Sequence, residues 1–142
     1  MSTAAIANGS PSILRSVIAV FVGLIFIVIT HNAVDLVMHV TSVFPPVGQP
    51  MSDAMYAIPL SYRILLSISG CYLTALVATN RPMFHALILG FIGMVLSTIG
   101  VVATWNAGPA YDVKWYAIAL AVTSVPCAWV GGFLRERQLL AS

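Results

Sequence analysis

His31, Asp35 and His39 stand four residues apart in a stretch that otherwise reads as hydrocarbon. The run before them, Val17 to Ile29, is Val-Ile-Ala-Val-Phe-Val-Gly-Leu-Ile-Phe-Ile-Val-Ile. Backbone in lipid must satisfy its own hydrogen bonds, so this segment is predicted to be a helix. Spacing of four puts the three side chains on one helix face, each about 6 Å further along the axis. Titratable groups at membrane depth are costly, and they mark ion paths, proton relays or ligand sites. Three chemistries fit these residue types: a proton relay from His31 to Asp35, a metal site, or an ion pair.

The metal reading is the weakest of the three. His31 and His39 on one helix are about 12 Å apart, too far to share an ion. Cys71 is expected to lie too deep to help, so no metal and no cofactor is assigned. The ion-pair reading has a natural partner for Asp35 in Arg63, expected at similar depth on the second helix. Its plainest role is to fix how those helices dock, because an Asp neutralised by Arg is a poor proton carrier. His39 is expected at the membrane interface. His31 is deeper and is expected to hydrogen-bond a hydroxyl or backbone carbonyl, with the relay to Asp35 as the sharper alternative. His85, with Asn80 and Pro82, reads as helix-entry chemistry at the other membrane face.

These residues need elements to hold them. Of the 142 residues 60% are hydrophobic and only 7% charged, against roughly a quarter charged in soluble domains. Together with a mean hydropathy of +0.99, this predicts an all-α integral membrane bundle. Four segments reach the span length, at about 14–40, 60–78, 84–105 and 115–134. They make one domain over 13–137, between a disordered tail at 1–12 and a short C-terminal tail at 138–142. Ser10-Pro11-Ser12 can open the first helix. Arg15 followed by an apolar run imitates a signal peptide, but a small-residue cleavage site is missing, so the first helix is read as uncleaved. A net charge of +2 is too small and scattered for nucleic acid.

The turn at Thr79-Asn80-Arg81-Pro82 is short enough to make helices two and three antiparallel neighbours. Thr41 to Pro59 is longer and proline-rich, with one helical turn expected near Ser52 to Tyr56 and Ser52 as its cap. Arg15, Arg81, Arg135 and Arg137 fall on one side, with Arg63 and Lys114 on the other, so both termini are predicted to be cytoplasmic. Trp105, Tyr111, Trp115 and Tyr116 would then ring the outer interface, and Trp129 would sit near the inner one. The polar residues gather towards that outer face: His31, Asn32, Asp35 and His39 on helix one, Ser61, Tyr62, Arg63 and Ser67 on helix two, Thr104, Trp105 and Asn106 at the end of helix three, and Tyr116 at the start of helix four. Tyr56-Ala-Ile-Pro-Leu echoes Tyr116-Ala-Ile-Ala-Leu, which fits either chance or a decayed duplication.

Small residues form stripes: Gly90, Gly93, Ser97 and Gly100 on helix three, Gly70 and Thr74 on helix two. Such residues let membrane helices approach closely, so these are read as packing positions, with a homodimer seam as the rival. Pro126 is expected to interrupt and kink helix four, and Gly131-Gly132 to loosen its end. Cys71 and Cys127 read as small buried hydrophobes. No phosphate loop, nucleophile elbow, zinc motif, CxxC or dinucleotide fingerprint occurs, so no catalytic residue is assigned.

The stretch Asn80-Arg81-Pro82-Met83-Phe84-His85-Ala86, continuing to Leu89-Gly90 and Gly93, resembles uncharacterised small bacterial four-helix inner-membrane proteins. Gly108-Pro109, Trp115-Tyr116, Pro126 and Gly131-Gly132 extend that resemblance. It implies a multi-pass protein of the bacterial inner (plasma) membrane and no activity. The leading expectation is a non-catalytic accessory or scaffold protein, acting in the lipid bilayer through a membrane-protein partner or a homodimer. The alternative is a small transporter or proton-handling protein using His31 and Asp35. They part on whether His31 and Asp35 line a cavity or pack dry against Arg63.

Overall fold

A computed structural model describes residues 13–111 and 113–142. The chain is 83% helical with no strand among the described residues. The helices are α1 (Ile13–Val40), α2 (Ala57–Val77), α3 (Pro82–Thr104) and α4 (Lys114–Ala141), each long and apolar enough to cross a membrane. The expected tail at 1–12 and the Ser10–Ser12 start lie outside the described residues, as does Asp112.

Two boundaries differ from expectation by three residues or more. α2 begins at Ala57, because Pro59 falls in the first turn, where no intrahelical N–H is lost. α4 runs on past Leu134 to Ala141, which replaces the expected tail at 138–142 with helix. The residues beyond the apolar run, Arg135 to Leu140, are good helix formers, and tertiary bonds hold them. The Tyr72 hydroxyl donates to Gln138 Oε1 at 2.8 Å, and Arg135 Nη1 to the same oxygen at 2.6 Å. Pro126 does not break α4, which is helical from end to end; the proline ring lies on the exposed face.

α1 ends in a Schellman-type cap. Ser42 takes the left-handed conformation (φ 58°), Val43 N–H reaches the Met38 carbonyl at 3.0 Å, and Ser42 N–H reaches that of His39 at 3.1 Å. The expected turn before α2 is a 3₁₀ turn at Asp53–Tyr56, where the Ser52 hydroxyl makes no capping bond. Arg81, also left-handed (φ 49°), turns the chain from α2 into α3. His85 Nδ1–H then bonds the Arg81 carbonyl at 3.0 Å, in keeping with helix entry.

Several hydroxyl side chains within the helices return to the backbone. Thr30, Ser69, Thr98 and Thr123 each donate to the carbonyl four residues back, as does the amide of Asn32. This satisfies them without a partner helix.

The bundle is dense at one end and hollow at the other. α3 packs most extensively on α4, while α2 packs on α4 and α1; α2 and α3, despite their short turn, touch less. The core of Cys71, Ala75, Ala86, Leu89 and Ala128 lies in the half towards that turn. Small residues bring the backbones together there. A methyl group on Gly23 would fall 1.8 Å from Thr74 Oγ1, and one on Gly90 would fall 2.3 Å from the Ala128 methyl. Gly131 and Gly132, rather than loosening α4, press on Cys71 and Met83. At the other end, under the α1–α2 and α3–α4 loops, the buried side chains include Phe44, Tyr56 and Pro59.

Candidate functional site

In the hollow half α1 and α2 run side by side, and Asp35 faces Arg63 across them. Arg63 Nη2 donates to Asp35 Oδ2, and the Tyr62 hydroxyl donates to Oδ1. The pair is neither dry nor solvated: the Arg63 side chain is 25% exposed and that of Asp35 28%. His31, one turn nearer the dense half, donates from Nε2 to the Arg63 backbone carbonyl at 3.3 Å. Asp35 and His31 therefore grip opposite ends of one residue, a side chain and a carbonyl. His39 stands apart from the ion pair. Its Nδ1–H bonds the Pro45 carbonyl at 2.8 Å, and its ring meets Phe44 edge-on at 5.6 Å, so it fastens the loop to α1.

Two cavities flank Arg63. The larger, about 450 Å³, is a vestibule beneath the loops, lined by Asp35, His39, Tyr56, Arg63, Gly100 and Tyr116, among others. The smaller, about 190 Å³, lies deeper, with His31, Gly93, Cys71 and Cys127 on its wall. Arg63, Ser97 and Leu120 border both and so form the partition between them. Arg63 Nε is buried and finds no hydrogen-bond partner among the described residues.

This changes the role of the α3 stripe. Gly90 is a packing position, but against α4 and not α2. A methyl group on Gly93 would meet only Ser124 at ordinary distance, 3.6 Å, and one on Gly100 would meet nothing within 4 Å. Gly93, Ser97 and Gly100 are cavity wall: small side chains leave the space unfilled. Gly70 and Thr74 do pack closely, against Ile27 and Gly23 of α1. Gly23 itself escaped notice in the sequence, where its one signal is being small in a run of large apolar residues.

Tyr116, expected both in the interfacial ring and among the polar residues gathered at the outer face, turns into the vestibule, its ring 5.0 Å from that of Tyr56. The two echoing Tyr-Ala-Ile segments thus meet at the vestibule wall. Lys114 lies over the Trp105 ring at 4.7 Å, and Trp129 is exposed and stacks on Phe133. Phe44 and Tyr56, absent from the sequence-derived cluster, are brought in by the loop and the 3₁₀ turn. Among the described residues no three His, Cys, Asp or Glu side chains converge as a metal site requires.

Comparison with protein families, with curated proteins and with solved structures finds no match. The geometry alone carries the functional reading.

Proposed function

We propose that the protein is a non-catalytic, multi-pass protein of the bacterial inner (plasma) membrane that admits a small solute into the vestibule from the external side. One observation carries this reading: the Asp35–Arg63 pair borders a cavity at one end of a bundle whose helices approach closely at Gly23, Gly70 and Gly90 towards the other. Charged groups inside a membrane bundle are expensive unless paired or hydrated, and hollow space forfeits packing energy. A solute site makes use of both. The distribution of Lys and Arg supports the orientation, with the vestibule outside and both termini in the cytoplasm. The second reading, a scaffold acting through bilayer contacts with a partner or a second copy, draws support from the small-residue packing of the dense half.

Cysteine accessibility separates them. In a Cys71→Ala/Cys127→Ala background, Gly100→Cys is expected to react from outside intact cells with a charged, membrane-impermeant methanethiosulfonate. Val47→Cys, on the exposed loop, serves as the positive control. A reactive Val47→Cys beside an inert Gly100→Cys would mean a dry cavity, and the scaffold reading would stand instead.

A further inference from the structure

The chemistry of the vestibule wall narrows what it would hold, and this step rests on the solute reading above. Its charged floor is a neutral pair, so a ligand of either single sign would leave net charge in a site of low dielectric, at a cost. A zwitterion adds none. Both halves of the pair have bonding capacity left. Asp35 accepts one bond on each oxygen, where a carboxylate can take about four in all. Arg63 borders the same cavity and bonds Asp35 through Nη2, one nitrogen of a guanidinium that carries five N–H donors suited to an oxyanion. Above the pair the wall is aromatic, with Phe44, Tyr56, Tyr111 and Tyr116 lining the same space. Aromatic faces attract an ammonium through the ring quadrupole, and a methylated ammonium, which needs no hydrogen-bond acceptor, suits such a wall best.

We propose that the vestibule binds a small zwitterion with a methylated ammonium and an oxyanion, the ammonium against the aromatic wall beside Asp35 and the oxyanion on the Arg63 guanidinium. A volume of about 450 Å³ fits a small molecule of this kind. The same chemistry occurs in a free betaine and in a phosphocholine lipid headgroup.

The test is saturable binding of radiolabelled glycine betaine to the full-length protein in maltoside micelles, with competitors. Unlabelled betaine is expected to displace the label, and choline, which lacks the oxyanion, at least tenfold less well. Tyr116→Leu is expected to weaken binding about tenfold, with the melting temperature recorded to show a folded protein. The neutral double variant Asp35→Asn/Arg63→Gln is expected to abolish it. Repeating the assay in nanodiscs of phosphocholine and of phosphoglycerol lipid identifies the source. Displacement of betaine by phosphocholine lipid alone assigns the site to the headgroup, and equal binding in both assigns it to the free solute. Choline competing as well as betaine would overturn the zwitterion in favour of a plain cation. If neither betaine nor soluble phosphocholine binds while Gly100→Cys is labelled from outside, the ligand class is wrong and the solute vestibule survives. Loss of that labelling as well removes both.

Discussion

Asp35 has two donors, and they come from consecutive residues of one helix, Tyr62 and Arg63. Removing either partner of the ion pair strands the other in a half-buried setting. Breaking a fully buried pair typically costs about 3–5 kcal/mol, and the partial exposure here places the effect at or below the low end. Asp35→Ala and Arg63→Ala should each lower the melting temperature and the folded yield in the membrane. Asp35→Asn with Arg63→Gln should recover much of the loss, since no unpaired charge remains, and a double-mutant cycle measures the coupling. Additive losses would show that the two side chains do not touch. His31→Ala should cost less, since it gives up one long hydrogen bond to a carbonyl.

Between elements, the decisive contact is the crossing of α1 and α2 at Gly23. The Thr74 hydroxyl is fully buried there, with no hydrogen-bond partner among the described residues, and lies directly against the Gly23 backbone. Gly23→Ala would drive a methyl group into Thr74 and towards the Gly70 carbonyl, 2.7 Å away, so the helices must part. Overpacking of this kind costs about 1–3 kcal/mol. Gly93→Ala is the contrast. Its methyl meets Ser124 at ordinary distance, and alanine favours helix by up to about 1 kcal/mol over glycine. Thermal melts in detergent should show a clear loss for Gly23→Ala and no loss for Gly93→Ala. Equal losses would contradict the division of the small residues into packing and cavity wall.

For the whole molecule, orientation decides which compartment the vestibule serves. Arg63 is spent inside the bundle on Asp35, so Lys114 is left as the basic residue flanking the hollow end. The dense end keeps Arg15, Arg81, Arg135 and Arg137, which sharpens the asymmetry seen in the raw count. In a Cys-free background, Val47→Cys should react with an impermeant maleimide in intact cells, and Ser142→Cys only after the cells are opened. The reverse pattern would turn the vestibule towards the cytoplasm.

Composition and run length alone determine four helices of spanning length, since long apolar segments with few charges leave the backbone no other way to satisfy itself. The pairing of Asp35 with Arg63 was legible too, because two charges at equal depth in a small bundle have few alternatives. His39 at the end of α1 followed from its place in the run. Which way α3 faces was not legible. Lipid and protein interior are equally apolar, so a membrane helix carries little periodic signal of its buried side, and a stripe of small residues reads alike as seam or as hollow. Tyr116 fitted both the interfacial ring and the polar cluster for the same reason: an aromatic near a helix end suits the interface or the interior. Only the tertiary structure decided these points, because a cavity is space that four helices leave between them, and no single segment encodes it.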